Sequence, residues 1–256
     1  MHATSLTRRG PRSRAVELFG LQVDALTMDE TVEVVRRMVA DGRPHQHVAV
    51  NAAKIVAADR DPTLKGIIRS CDLVNADGVS VVWASKLLGA PLPARIAGID
   101  LFECLVGAAA EDGRSVYFLG ARPEVVEKVV QVFRDRHPGL LVAGYRDGYW
   151  DDDDEVVRAI AQAAPDYLFL GIPSPRKELW LSRHVPRLGV PFAMGVGGSF
   201  DVVAGVIGRA PHRVQRIGLE WAWRLAQEPR RMWRRYLIGN AAFVGLTARE
   251  WWRSHT

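Results

Sequence analysis

Residues 115–136, SVYFLGARPEVVEKVVQVFRDR, contain in one stretch the pattern that decides the fold. The stretch begins with an apolar run typical of a buried strand, turns at Gly120, and continues from Glu124 with apolar side chains at helical spacing. The same order recurs along the chain, with strands predicted at 46–50, 73–74, 140–143, 167–171 and 192–196 and helices between them, among them 51–58, 151–163 and 175–185. This alternation predicts a Rossmann-like α/β fold, a mainly parallel sheet with helices on both faces.

The alternation has a beginning and an end, and these divide the chain. Residues 16–26 precede it and are predicted to form one or two strands, whereas the residues after Pro211 read as helix only. We therefore predict a disordered basic arm over 1–14, an α/β core over 15–206 and an all-helical appendage over 207–256.

The predicted appendage is basic and rich in tryptophan. It holds ten arginines against three glutamates, a net charge of +7, whereas residues 1–206 hold 24 basic and 26 acidic side chains, a net charge of −2. Five of the eight tryptophans also lie in it. Guanidinium groups bind phosphate and indole rings favour membrane interfaces, so we predict a membrane-proximal surface. The alternative is a packed helical hairpin with a solvated basic face.

Composition excludes several classes of protein. With 256 residues, 48% hydrophobic and 25% charged, the chain is typical of a soluble globular protein. The sequence has no apolar stretch of membrane-spanning length and no secretory signal. Its only cysteines are Cys71 and Cys104, which is too few for a disulfide scaffold. A reducing, cytoplasmic location is therefore expected. The histidines show no metal-ligand spacing and no nucleic-acid recognition motif is present, so we predict neither a bound metal nor a nucleic-acid partner.

Polar and glycine residues follow the predicted strands, at the edge of a parallel sheet where ligands bind. They are Asn51, Asp77 with Gly78, Gly120, Gly171 and Gly197. Glycine lets the backbone approach a phosphate, and the helix that follows offers free N–H groups, so together these turns predict a nucleotide or nucleotide-sugar site. Each turn alone equally fits a tight connection without a ligand, and neither a dinucleotide fingerprint nor a P-loop is present.

Three charged residues in these turns are candidates for chemistry. Asp77, between an apolar strand and an apolar helix, is the best candidate for an acid or base, with the N-cap of the next helix as its alternative role. Arg95 either neutralises a diphosphate or forms a surface ion pair. Asp201 either accepts hydrogen bonds from ribose hydroxyls or caps the helix after Gly198.

A longer series of motifs carries a family resemblance over about 16–243. The motifs are, in chain order, Asn51, Asn75-Ala-Asp77-Gly78, Arg95-Ile-Ala-Gly98-Ile-Asp100, Phe118-Leu-Gly120, Gly171-Ile-Pro-Ser-Pro175 with Lys177-Glu178, Gly197-Gly198-Ser-Phe200-Asp201 with Gly205, Arg209-Ala-Pro211, Gly218-Leu-Glu220-Trp221 with Arg224-Leu225, Glu228-Pro-Arg-Arg231 and Arg235-Tyr236-Leu237. In this order they resemble the WecG/TagA/CpsF family of bacterial glycosyltransferases.

The resemblance implies a reaction and its partners. It implies inverting, metal-independent transfer of a sugar, N-acetylmannosamine or a related hexose, from a nucleotide-diphosphate donor, typically UDP-linked. The implied acceptor is a sugar on a polyprenyl diphosphate at the cytoplasmic face of the membrane, so the enzyme would be peripheral to that membrane. The products would enter cell-surface polysaccharides such as teichoic acid linkage units or exopolysaccharide. No cofactor is expected, and homo-oligomerisation is left open.

The resemblance also implies roles for individual residues. Asp77 would be the catalytic base, and appendage arginines would close over the diphosphate and approach the membrane. The positions expected to bind substrate are Asn51, Gly78, Arg95, Gly120, Gly171, Lys177, Glu178, Gly197, Asp201, Arg231, Arg234 and Arg235.

Two residues depart from the family pattern, and both predict altered contacts to the sugar. Ala49 stands where the teichoic acid branch usually has threonine, and Lys177 stands where glutamine usually precedes the glutamate. A lysine suits an acidic sugar or a phosphate, so a different hexose or a hexuronate is an alternative donor.

Two other functions compete with this interpretation. In an NAD-dependent oxidoreductase of Rossmann type, the turn at 120–123 would hold the pyrophosphate and Asp147 the ribose, although the expected glycines are missing. A non-enzymatic peripheral membrane scaffold would use only the appendage, and it leaves the polar residues at the strand ends unexplained.

Overall fold

The computed structural model of the chain describes residues 14–211, 214, 220–227 and 229–255, and the side chains at 220, 221, 224, 229–238 and 255 lie outside that description. The predicted basic arm, apart from its last residue, also lies outside the described residues. The strands are β1 Ala15–Leu18, β2 Leu21–Asp24, β3 His45–Val50, β4 Leu73–Ala76, β5 Ser115–Gly120, β6 Leu141–Arg146, β7 Tyr167–Gly171 and β8 Phe192–Gly195. The helices are α1 Met28–Asp41, α2 Ala52–Arg60, α3 Pro62–Ser70, α4 Val79–Leu87, α5 Gly98–Glu111, α6 Pro123–Arg136, α7 Asp153–Ala163, α8 Arg176–Leu188, α9 Ser199–Val203, α10 Glu220–Gln227 and α11 Pro229–His255.

The main sheet confirms the predicted fold class. Its six strands are all parallel, in the order β4-β3-β8-β7-β5-β6. The stretch at 16–26 forms a separate antiparallel hairpin of β1 and β2. Because the central strands are covered on both faces, they read as near-continuous apolar runs rather than alternating ones.

Helices cover both faces of this sheet. Alternate side chains of β5 and β7, such as Phe118 and Phe169, pack on one face with α1, α5 and α6, whereas Leu119 and Leu170 pack on the other face with α7 and α8. A further apolar cluster joins the hairpin, α2, α3 and α4 at the β3–β4 end of the sheet.

The end of α8 differs from the sequence prediction. The helix was expected to stop at residue 185 but continues through Pro186 to Leu188, and Gly189 then ends it in the left-handed conformation. Leu188 is fully buried against the sheet, and this packing outweighs the hydrogen bond that a proline removes from a helix.

The C-terminal part of the predicted appendage packs on the core. In α11, Phe243 and Leu246 are buried, and the Phe243 ring lies 5.3 Å from that of Phe19. Arg249 pairs at 2.9 Å with Asp59, at the end of α2 that points away from the carboxyl ends of the strands. Among the described residues, no helix combines the length and the apolar character needed to cross a bilayer.

One glycine contact sets the spacing of β5 and β7 at their carboxyl ends. Gly120 has a φ of +122°, and a Cβ there would lie 2.6 Å from the carbonyl carbon of Gly171. A side chain at this position is therefore excluded both by the backbone conformation and by its neighbour.

Gly120→Ala is expected to destabilise the protein by at least about 2 kcal/mol, which lowers the thermal midpoint by roughly 4–8 °C. Differential scanning calorimetry measures the shift. Gly139→Ala is the matched control, because a Cβ at Gly139 meets nothing within 4 Å. Equal midpoints for the two variants would contradict the steric role of Gly120.

Candidate active site

The carboxyl ends of the parallel strands border a cavity of about 620 Å³. Six of the residues predicted from the sequence line it, and each lies at the end of a strand, in the loop that follows a strand, or in the first turn of a helix. They are Asn51, Asp77, Gly171, Lys177, Gly197 and Asp201.

The other predicted residues occupy different places. Gly78 is the N-cap residue of α4, Arg95 is half-buried in the α4–α5 loop, and Gly120 lies against Gly171. Glu178 is buried on α8. None of these four is among the described residues that line the cavity. The side chains of Arg231, Arg234 and Arg235 lie outside the described part of the chain.

Asp77 is held at the cavity wall by its backbone. Its N–H donates to the carbonyl of Val50 at 2.8 Å, and its carboxylate faces the start of α5, where a Cβ on Gly98 would lie 3.6 Å from Oδ2. The N-cap residue of α4 is Gly78, and α4 has no side-chain cap. The capping role considered for Asp77 is therefore not what the structure shows.

Asn51 and Asp201 border the same cavity from different helices. The Asn51 side-chain oxygen caps α2 by accepting from the N–H of Lys54 at 3.0 Å, and its amide group retains two N–H donors. Asp201 lies inside α9, whose N-cap is Gly198, so it does not cap that helix. Asp201 therefore lines the cavity without the structural role that was its alternative.

A buried charged cluster forms the cavity floor, and sequence reasoning found only part of it. Lys54 on α2 is 8% exposed, and its Nζ lies 2.7 Å from Glu178 Oε1, which is 2% exposed. Lys177 lies 4.0 Å from the same carboxylate oxygen. Burial alone would raise the pKa of Glu178, but the two ammonium groups lower it below its ordinary value. Lys54 and Lys177 both line the cavity.

A signal for Lys54 was present in the sequence. A lysine three residues after Asn51 falls in the first turn of a helix that was expected to begin at the cavity edge. Only the fold shows that this lysine is buried and that its partner stands 124 positions later in the chain.

A buried histidine lies beside this cluster. His47 Nε2 is 3.0 Å from Asn75 Oδ1. Burial lowers the pKa of His47 to about 3; the Asn75 hydrogen bond opposes this shift, and the charges of Lys54 and Lys177 add to it. His47 is therefore neutral near pH 7 and adds no charge to the floor.

Basic and aromatic side chains border the opposite end of the cavity, near β5, β6 and β7. Arg122, Tyr149 and Arg176 line it there, and the Arg176 guanidinium lies 5.2 Å from the centre of the Trp150 ring. Asp147, the ribose ligand in the oxidoreductase interpretation, accepts from the N–H of Tyr149 at 2.8 Å and so stabilises its own loop.

The carboxylate of Asp153 joins the loop between β6 and α7 to α8. Asp153 Oδ1 accepts from the indole N–H groups of Trp150 and Trp180, each at 2.7 Å. Burial alone would raise the pKa of Asp153, but the hydrogen bonds from Trp150, Trp180 and His184 outweigh this effect and hold the pKa below its ordinary value. The anchored Trp150 ring in turn supports Arg176 at the cavity wall.

The N-termini of two long helices face this region. α6 follows Arg122 and α8 follows Pro175, and neither helix has a side-chain cap. The dipoles of both helices favour an anion in the cavity, and so do N–H groups in their first turns, although Pro123, the first residue of α6, has none.

Residues near the start of the predicted appendage complete the cavity. Trp223 and Gln227 of α10 line it, and Gln227 Nε2 donates to the carbonyl of Gly208 at 3.0 Å. Arg209 also lines the cavity. Its guanidinium pairs with the carboxylate of Asp100 and lies 3.6 Å from Glu103 Oε2. α11 begins at Pro229, immediately beyond this rim. Within the described residues, no group of three His, Cys, Asp or Glu side chains is arranged to share a metal ion.

Comparison with known proteins finds a family model and several relatives that match most of the chain. The family model described as "Glycosyl transferase WecG/TagA/CpsF family" matches residues 16–256. A relative from Bacillus spizizenii is 39% identical over 180 residues, 70% of each chain. Relatives from Bacillus subtilis and Staphylococcus aureus are 35% and 33% identical and cover 73% and 86% of this chain, and 73% and 87% of their own lengths. All three are named N-acetylglucosaminyldiphosphoundecaprenol N-acetyl-beta-D-mannosaminyltransferase.

The fold and these matches together define an enzyme that transfers a sugar. The chain belongs to the WecG/TagA/CpsF family of glycosyltransferases. This confirms the resemblance stated from the motifs, and it favours a transferase over both the oxidoreductase and the scaffold.

Proposed function

We propose that the protein transfers a hexose-type sugar, N-acetylmannosamine or a related one, from a UDP-linked donor to a sugar on a polyprenyl diphosphate, with inversion and without a metal ion. The observation that carries this proposal is the position of Asp77 on the wall of a cavity whose other end is basic. The reaction belongs to the synthesis of a cell-surface polysaccharide.

The names of the relatives support the choice of sugar and acceptor. They describe transfer of N-acetyl-β-D-mannosamine to N-acetylglucosamine on a diphosphoundecaprenol. The alternative donor, a UDP-linked hexuronate, is considered because of Lys177. It would change the sugar that is transferred but not the type of reaction.

The order of the strand ends supports one direction of donor binding. Asp77 follows β4 at one edge of the sheet, whereas Arg122 and Tyr149 follow β5 and β6 at the other edge. Neighbouring strands lie about 4.8 Å apart, so the cavity edge is long enough for a whole nucleotide sugar. The reacting sugar binds toward Asp77, and the nucleoside binds toward Tyr149, with Asp201 available to the ribose hydroxyls.

Asp77 is the general base of the proposed reaction. One carboxylate oxygen takes the proton of the acceptor hydroxyl, and the oxygen of that hydroxyl forms a bond to the anomeric carbon of the donor from the face opposite the phosphate. The bond between the anomeric carbon and the phosphate oxygen breaks, and its electron pair leaves with UDP. A single attack from the opposite face inverts the anomeric configuration, so one carboxylate is sufficient.

Positive charge in the cavity stabilises the leaving diphosphate. Arg122, Arg176 and the N-termini of α6 and α8 supply it from the core. Arg231, Arg234 and Arg235 of α11 add to it, since this helix begins just beyond the cavity rim formed by α10. With charge from these groups, the reaction needs no metal ion.

The same arginines bring the enzyme to its acceptor. The polyprenyl chain of the acceptor lies in the bilayer, and the arginine side chains of α11 bind the anionic headgroups beside it. We therefore place the enzyme in the cytoplasm, peripherally bound to the inner face of the membrane.

Asp77→Asn is expected to lower the rate of sugar transfer by roughly 10²–10⁴ and to leave UDP affinity nearly unchanged, because the amide cannot accept the proton. Single-turnover kinetics and calorimetric titration with UDP measure the two quantities. Asp135→Asn, an exposed position on α6, is the matched control and should behave as wild type. A fully active Asp77→Asn variant would remove Asp77 from the mechanism.

Sugar transfer should continue at an unchanged rate after dialysis against EDTA, because cationic side chains and helix N-termini neutralise the diphosphate. A coupled assay for released UDP, with and without added Mg²⁺, measures this. A loss of activity that Mg²⁺ restores would contradict the metal-independent mechanism and leave sugar transfer itself standing.

The triple variant Arg231→Gln, Arg234→Gln, Arg235→Gln is expected to weaken binding to anionic phospholipid vesicles by roughly a hundredfold, at about 1 kcal/mol per arginine. Vesicle sedimentation at fixed ionic strength measures the affinity. The triple variant Arg134→Gln, Arg158→Gln, Arg183→Gln removes the same charge from exposed positions on α6, α7 and α8 and serves as control. Equal vesicle affinities for the two would contradict the appendage assignment.

A further inference from the structure

The strands β3 and β8 separate before they reach the cavity. Their pairing ends at His47 and Met194. Beyond this point Ala49 pairs with Asn75 of β4, and Gly195 lies opposite Leu170 of β7. The two halves of the sheet therefore part at this boundary, which is the place where ligands enter open parallel sheets.

Two ammonium groups occupy the gap. Lys54 Nζ donates to the carbonyl of Ala49 at 2.7 Å, and Lys177 Nζ donates to the carbonyl of Gly195 at 2.8 Å. Each lysine thus holds the last part of one diverging strand. Since an ammonium group has three N–H donors, each can bind a carbonyl and still donate to other acceptors.

Glu178 joins the two lysines from below. It is buried, 2.7 Å from Lys54 and 4.0 Å from Lys177, and it does not line the cavity, whereas both lysines do. The three side chains together carry one net positive charge, and His47 beside them is neutral. An anion in the cavity meets the cations, with the carboxylate behind them.

The distance from Asp77 matches one particular anion. In an in-line attack, the path from the base to the donor phosphorus bends at the acceptor oxygen and at the glycosidic oxygen, so the phosphorus lies roughly 6–8 Å from the oxygen of the base. The midline between β3 and β8 lies one and a half strand spacings from β4, or roughly 7 Å. The phosphate that leaves with the nucleotide therefore falls over Lys54 and Lys177.

We propose that Lys54 and Lys177, with Glu178 as their shared counter-ion, form a binding site for an oxyanion of the donor, namely the phosphate attached to the transferred sugar. This rests on the proposed function and names the groups that receive the leaving charge. When the bond from the anomeric carbon to the phosphate oxygen breaks, its electron pair stays on that oxygen, and the two ammonium groups stabilise it. A carboxylate on a hexuronate donor is the second source of the same chemistry.

Comparison of UDP with UMP tests the phosphate assignment, because only UDP carries the second phosphate. Lys177→Gln is expected to weaken UDP binding by about tenfold to a hundredfold and to leave UMP binding within about twofold, as measured by calorimetric titration. The Lys54–Glu178 pair remains in this variant, so the thermal midpoint should stay near that of wild type. Lys128→Gln, an exposed lysine on α6, is the matched control.

A second pair of variants distinguishes a loss of phosphate binding from a purely structural effect of the substitution. Lys177→Arg keeps the charge and should retain most of the preference for UDP over UMP. Lys54→Gln leaves Glu178 beside Lys177 and should lose UDP affinity by a similar factor as Lys177→Gln. Loss of UDP and UMP affinity together in both glutamine variants would show a structural role and overturn the proposal.

A donor panel separates the two sources of the oxyanion. Unchanged UDP affinity together with loss of turnover only on UDP-hexuronates would assign the site to a sugar carboxylate and overturn the phosphate assignment. Unchanged UDP affinity and unchanged turnover on every donor would overturn the site altogether. If wild-type protein binds UDP but transfers no sugar from any donor, the proposed function fails, and the UDP and UMP titrations still decide whether the lysine site exists.

Discussion

The separation of β3 from β8 is the constraint on which the rest of the site depends. Parallel strands bring all their carboxyl ends to one edge, but adjacent strands that remain paired to their ends leave no room between them. Here the pairing stops at His47 and Met194. The carbonyls beyond it are bound by the buried Lys54 and the half-buried Lys177 rather than by the neighbouring strand. The gap is thereby stabilised, and the cavity forms above it.

Because Lys54 and Glu178 lie in the protein interior, the stability of the arrangement depends on both of them being present. A lysine in the interior is costly unless it is paired, and removal of one member of a buried pair leaves the other uncompensated. Lys54 and Glu178 therefore depend on each other, although one lies in the first turn of α2 and the other in the first turn of α8. Their pair holds the two halves of the sheet at a fixed distance where the cavity opens.

The cavity is asymmetric along the sheet edge, and this asymmetry gives the site a direction. A carboxylate, Asp77, stands at the β4 end, the lysines stand in the middle, and arginines with an exposed tyrosine stand toward β5 and β6. A base is useful only beside the neutral acceptor hydroxyl, whereas cations are useful along the diphosphate. α10 reaches the same rim with Trp223 and Gln227, so the helical C-terminal segment takes part in the cavity as well as packing on α2.

The sequence by itself determined the fold class, the strand ends that border the site and the family. These follow from local patterns: apolar runs of strand length, helices with recognisable starts, and glycine or polar residues at the turns between them. Asn51, Asp77, Gly171, Lys177, Gly197 and Asp201 were accessible in this way because each lies next to a strand end or helix start. Only the tertiary structure decided that Lys54 is buried against Glu178, that α8 continues through Pro186, and that the N-cap residue of α4 is Gly78 rather than Asp77. The physical reason is that these properties depend on which strands become neighbours, and strand order is set by packing among distant parts of the chain rather than by any local pattern.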